Sequence, residues 1–171
     1  MQVVILAGGL GTRLKRVDAE KPKALMSVAG KPFIEHQFNL LRKHGLKNVL
    51  LCVGHLAEQM ERCVGTGERF GMQVTYSHED SSKLLGTGGA LVNALPFLED
   101  IFMMIYGDSY LPIDYQSVVA WFSKRSFPAL MTVYRNEEKW DKSNVRVEGD
   151  RVAFYSKETK PGEADCIDYG L

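Results

Sequence analysis

Apolar positions in this chain fall into two patterns that alternate along its length. Short runs rich in aliphatic and aromatic residues predict strands: "VVILA" (3–7), "NVLLCVG" (48–54), "MQVTYSH" (72–78), "IFMMIYGD" (101–108) and "ALMTVYR" (129–135). Between them lie segments with helical spacing. "KPFIEHQFNLLRKHG" (31–45) sets Phe33, Ile34, Phe38 and Leu41 on one face and stops at Gly45. "LAEQMERCV" (56–64), the segment opened by "LLGTGGALVNAL" (84–95) and "YQSVVAWFSKR" (115–125) read as further helices. "NVRVEGDRVAFYSK" (144–157) alternates with period two around Gly149-Asp150 and predicts a hairpin. Residues 167–171 resemble a strand that has just begun.

Strand and helix alternating in this way predict a doubly wound, mostly parallel α/β sheet with right-handed crossovers. Runs without polar interruption fit strands covered on both faces. The hairpin reads as a small insertion beside the main sheet. No repeat, linker or low-complexity tract interrupts the chain, so residues 1–171 are expected to form one domain.

Composition narrows the function classes. Lysine plus arginine equals aspartate plus glutamate, 21 each, so the overall basic field of a nucleic-acid binder is missing. The three cysteines, Cys52, Cys63 and Cys166, form no CxxC pair, which argues against a disulfide framework or a zinc site. Cys52 and Cys63 read as packing residues. The first apolar run breaks at Gly8, without a basic n-region before it, so no signal peptide is expected there. No segment reaches the ~18 apolar residues of a membrane span. Location in the cytoplasm, with no membrane and no nucleic-acid partner, is the expectation.

Candidate chemistry concentrates after the first strand. "LAGGLGTRLKRVDAEKPKAL" holds Gly8, Gly9 and Gly11, then Arg13, Lys15, Arg16, Lys21 and Lys23. In an open α/β sheet, ligands bind at the carboxyl ends of the strands. Glycine lets the backbone approach a ligand and aim its N–H groups at it. With Arg13 and Lys23, those groups would make an anion cradle. The loop lacks the GK[ST] of a P-loop, and Leu14 stands where a dinucleotide fingerprint needs its third glycine.

This stretch resembles the glycine-loop motif of the sugar-1-phosphate nucleotidyltransferases, also called NDP-sugar pyrophosphorylases. The resemblance continues through "GKPFIEHQFNLLRKHG", "LLGTGGAL", "YGDSY", "SNV", "YSK" and "IDYGL", and so covers essentially the whole chain. Within the family, "GTGGAL" with "GDSY" and "SNV" is most similar to the branch that includes heptose-1-phosphate guanylyltransferases. The resemblance implies that Ala7, Gly8, Gly9, Gly11, Thr12 and Arg13 wrap a nucleoside triphosphate. It implies that Lys23 meets the reacting phosphates, that Thr87 and Gly88 approach the base, and that Asp108 holds Mg²⁺. Asn144, Lys157, Asp168 and Gly170 would line the sugar-phosphate side. Arg13, Lys23 and Asp108 are thus the candidate catalytic residues. Ser27 stands where family members often have proline, a turn position with little expected consequence.

The chemistry agrees with that assignment. A sugar 1-phosphate is already an anionic nucleophile, since its second pKa is ~6. The reaction needs no general base; it needs two polyanions held together and charge neutralised on the leaving group. Arg13, Lys23, Lys157 and Mg²⁺ suit that task. A second reading is a regulatory homologue that binds nucleotide or NDP-sugar without turnover. A third is a related cytidylyl- or molybdopterin-guanylyltransferase, which the hairpin and the "IDYGL" side argue against. The resemblance also implies a downstream metal aspartate and C-terminal helices beyond Leu171. The chain is therefore expected to be a shortened form, or to self-associate as a homo-oligomer through an apolar surface near its last strand.

Overall fold

The structure, a computed structural model, describes residues 1–9, 20–83, 85–136 and 138–171. In chain order the elements are β1 (Gln2–Leu6), a two-residue hairpin of β2 (Ser27–Val28) and β3 (Lys31–Pro32), α1 (Phe33–Lys43), β4 (Asn48–Val53), α2 (Ala57–Val64), β5 (Gln73–His78), α3 (Gly86–Ala94), β6 (Phe102–Tyr106) and α4 (Tyr115–Ser123). β7 (Val133–Arg135), β8 (Val145–Glu148), β9 (Arg151–Tyr155) and β10 (Cys166–Asp168) follow. The chain divides into two compact units, Met1–Gln116 and Ser117–Leu171.

The first unit is built on a parallel sheet with strand order β5-β4-β1-β6. Side chains of a strand point alternately to the two faces. One face carries Val4, Leu50 and Cys52, which pack with Ala94 of α3 and with Leu91, Leu98, Phe102 and Met104. The other face carries Val3, Ile5, Val49 and Leu51, all fully buried. In α1 and α2 the stripe residues Ile34, Phe38, Leu41 and Met60 are fully buried too. Each such side chain contributes roughly 1.5–3 kcal/mol on leaving water. This double cover is why the strands of the sequence read as continuous apolar runs, as expected of a doubly wound α/β fold.

Strand order has a consequence for ligand binding. From β1 the chain winds outward to β4 and β5, then returns to place β6 on the opposite side of β1. Winding therefore reverses between β1 and β6, which opens a crevice at their carboxyl ends. No helix among the described residues is long and apolar enough to cross a membrane.

The second unit holds an antiparallel sheet, β7-β10-β8-β9. Gly149 takes a φ of +62°, which the predicted tight turn between β8 and β9 requires. Two readings of the sequence need correction here. The run at 129–135 does not extend the parallel sheet: its strand shrinks to Val133–Arg135 and pairs with β10. Thr132 N–H donates to Leu171 O at 2.8 Å, so the C-terminal residues satisfy its backbone. Periodicity reports burial, not the identity of a distant pairing partner. Cys63, read as a packing residue, is half-buried, whereas Cys52 and Cys166 are buried.

At the switch point the strands meet closely. Gly107 N–H donates to Leu6 O at 2.9 Å. A Cβ on Gly107 would sit 2.9 Å from Leu6 O and 3.0 Å from Ala7 Cβ, closer than atoms tolerate. Gly107→Ala is expected to destabilise the chain by about 1–3 kcal/mol through overpacking. Gly9→Ala, where a Cβ meets nothing within 4 Å, serves as the control. Thermal melts of the two variants check this, and equal melting temperatures would contradict it.

Candidate functional site

The candidate site of the first unit is assembled from the ends of β1 and β6 and the residues that follow them. Ala7 N–H donates to Cys52 O at 2.9 Å, and His55 N–H donates to Gly8 O at 3.2 Å. Together with the Gly107–Leu6 bond, these hold the start of the glycine loop to both neighbouring strands. Gly8 is a packing requirement as well as a flexible residue: a Cβ there would lie 2.8 Å from Glu79 Oε1 and 3.2 Å from Gly54 N. Gly9 faces open space. Gly11, Thr12 and Arg13 lie outside the described residues.

Lys23 opens a short 3-10 turn, Lys23–Leu25, after Pro22. Its Nζ donates to Asp108 Oδ2 at 3.1 Å. Asp108 stands two residues beyond β6, so residues 85 positions apart meet at the switch point. The lysine is 23% exposed and the carboxylate 52%, so water screens the pair. A pair of that kind is worth about 0.2–1 kcal/mol, little as a fold determinant and readily exchanged for a stronger ligand.

The turn bearing Asp108 is held from beneath. Gln37 of α1 is only 2% exposed. Its Nε2 donates to Tyr106 O at 2.9 Å and to Ser109 O at 2.7 Å, bracketing Gly107 and Asp108. Its Oε1 is buried without a hydrogen-bond partner among the described residues. The sequence reading passed over Gln37, though a signal was present. Ile34, Gln37, Phe38 and Leu41 occupy one helical stripe, and a lone amide on such a stripe needs buried partners.

Thr87 and Gly88 lie in the exposed first turn of α3, where a helix leaves N–H groups without intrahelical acceptors. Gly86, at the start of that turn, takes a φ of +71°. The nearby Cys52 is no candidate nucleophile: burial first, and the Glu79 carboxylate second, push its thiol up to about 11.

In the second unit, β10 brings Asp168 to Asn144. Asn144 Oδ1 accepts the Asp168 N–H at 3.0 Å, and Asp168 Oδ1 accepts the Gly170 N–H at 2.8 Å. Gly170 carries a φ of +97°. Asn144 also joins β8 to both neighbours, donating from N to Cys166 O at 2.9 Å and accepting Ser156 N–H at 3.0 Å. Burial first, then the Asp168 carboxylate, raises the Tyr155 phenol above its ordinary range. Asn144, Asp168 and Gly170 thus form one cluster. Lys157 follows Ser156 and is exposed.

Comparisons with known proteins converge on one family. The profile described as Nucleotidyl transferase matches residues 2–144. The chain is 30% identical over 178 residues to the UTP–glucose-1-phosphate uridylyltransferase of Synechocystis, covering 98% of this chain and 46% of that protein. It is 39% identical over 114 residues to the D-glycero-alpha-D-manno-heptose 1-phosphate guanylyltransferase of Campylobacter jejuni, covering 67% of this chain and 50% of that protein. The chain therefore spans about half the length of these relatives. Among solved structures, HddC from Yersinia pseudotuberculosis complexed with GMP-PN superposes with a TM-score of 0.79 at 28% identity, over 98% of this chain and 73% of that one.

Gln37→Leu keeps the apolar stripe but removes both donors from the turn. The loss is expected to cost about 1–3 kcal/mol, because buried acceptors go unpaired. Denaturant unfolding measures it, and an unchanged midpoint would show that water replaces the amide.

Proposed function

The chain belongs to the nucleotidyl transferase family, and on that premise we propose that it transfers a nucleotidyl group from an NTP to a sugar 1-phosphate, giving an NDP-sugar and pyrophosphate. The observation that carries this reading is the meeting of Lys23 with Asp108 at the β1/β6 switch point. There a cation and a hard oxygen ligand stand beside a glycine turn that can admit phosphates. The phosphate oxygen of the sugar 1-phosphate attacks the α-phosphorus of the NTP. The bond from that phosphorus to the bridging oxygen breaks, and pyrophosphate leaves with the electron pair. The nucleophile carries its own charge, so no residue has to remove a proton.

The residues divide by task in this reading. Ala7, Gly8, Gly9, Gly11, Thr12 and Arg13 hold the triphosphate, and Lys23 neutralises the phosphates that react. Thr87 and Gly88 approach the base. Asn144, Lys157, Asp168 and Gly170 serve the sugar phosphate. The donor chemistry suits Mg²⁺. Asp108 offers a half-exposed carboxylate, and no group of three or more potential ligands occurs among the described residues. Mg²⁺ is commonly held by one or two carboxylates together with substrate phosphates, rather than by an all-protein cage. When bound it would supply charge neutralisation at the pyrophosphate leaving group. The relatedness to a heptose 1-phosphate guanylyltransferase supports GTP as the first donor to test.

Pyrophosphate release should be measured with Mg²⁺, each NTP in turn and a panel of sugar 1-phosphates that includes a heptose 1-phosphate. Release that requires both substrates is expected, and release with no pair would overturn the proposal. In an active pairing, Lys23→Ala should lower turnover about a hundredfold, the scale of losing one preorganised charge-stabilising donor. Its melting temperature should barely move, because an exposed pair contributes little to folding. Wild-type turnover in the variant would remove Lys23 from the mechanism.

A further inference from the structure

Glu79 is the first residue beyond β5, and it reaches both glycine elements of the first unit. Its backbone N–H donates to Val53 O at 2.8 Å, which fixes its main chain to the end of β4. From there the side chain extends two ways. Oε2 accepts the N–H of Leu85 at 2.9 Å, the residue immediately before the α3 glycines. Oε1 lies where a side chain on Gly8 would begin, 2.8 Å from the position of its Cβ. β5 and β1 are not neighbours, since β4 lies between them. The carboxylate therefore spans the end of a whole strand. Asp80 supports the same loop: its Oδ1 accepts both the N–H and the hydroxyl of Ser82, at 2.8 and 2.7 Å.

We propose that Glu79 is a positioning residue, a clasp that seats the glycine turn of α3 against the Gly8 turn and thereby sets nucleotide affinity. The proposal rests on the nucleotide reading given above. Its physical basis is entropic. Glycine segments have the most conformational freedom to lose on ordering, and their N–H groups help a ligand only when already aimed. One carboxylate anchored on β4 fixes the register of both segments before the ligand arrives. A carboxylate facing phosphates would repel them. The bond to Leu85 turns this one to the backbone instead. An amide oxygen could accept the same N–H, so the charge itself is dispensable.

That last point makes the idea testable. The wild-type chain, Glu79→Gln and Glu79→Ala are titrated calorimetrically with GTP, UTP and dTTP in the presence of Mg²⁺, and Leu85 amide exchange is followed in each. Glu79→Ala should weaken binding about tenfold and speed Leu85 exchange about tenfold, the scale of one hydrogen bond to a charged acceptor. Its melting temperature should stay near that of the wild type. Glu79→Gln should restore both readouts to near wild-type values. Gly8→Ala should weaken binding less in the Glu79→Ala background than in the wild type, because both changes disturb one contact.

Unaltered binding or unaltered Leu85 exchange in Glu79→Ala would overturn the clasp. Equal losses in Glu79→Gln and Glu79→Ala would overturn it too, and would assign the negative charge a direct contact with the nucleotide. A wild type that binds none of the three nucleotides overturns the nucleotide reading instead. Leu85 exchange then still decides whether the carboxylate holds the loop.

Discussion

The seating of Gly107 on the last residues of β1 is the constraint from which the rest of the site follows. Parallel neighbours usually diverge once their hydrogen bonds end. Here the Gly107 N–H closes the ladder on Leu6 O, at the Leu6–Tyr106 pair, and a Cβ on Gly107 would press on that same oxygen. Asp108 is therefore delivered beside the loop that leaves β1. Gln37, one turn into a helix that belongs to the core, fixes the same turn from below. The position of one carboxylate thus depends on a glycine, a buried amide and a parallel pairing.

Energetics divide along the same line. The doubly covered sheet supplies the stability, through side chains such as Val4, Ile5, Leu50 and Leu51 that are removed from water altogether. The candidate pair is weak: Lys23 and Asp108 are partly exposed and hold each other loosely. Such a pair keeps two opposite charges in place until something with higher charge arrives. In the proposed reaction, phosphates would take the lysine and Mg²⁺ the carboxylate. Neither exchange would disturb the core beneath.

Much of this was legible in the residues. The strand runs and the helical stripe of α1 carry their burial in their spacing, and the order of strands and helices carries the doubly wound class. Gly8 and Lys23 stood out as glycine and cation following a strand end, whereas Asp108, which on its own reads as a turn residue, stood out through the family resemblance. Other features were not legible. The run at 129–135 looks like a central parallel strand because its apolar residues are continuous, yet its partner is the C-terminal strand, a choice made by distant residues. Glu79 reads as one more exposed acid in "SHEDSSK" until the fold brings Gly8 and Leu85 to it. Gln37 came closest to detection, since its place in an apolar stripe is visible and only its partners are not.

The central claim is that the carboxyl edge between β1 and β6 receives the nucleotide. Its most direct test is the backbone amide spectrum of the ¹⁵N-labelled chain as Mg²⁺ and GTP, UTP or dTTP are added. The account predicts that the largest shifts fall on Gly8, Gly9, Lys23, Thr87, Gly88 and Asp108, while the outer strand β9 stays still. Shifts that leave these residues unmoved and gather elsewhere on the chain would contradict it.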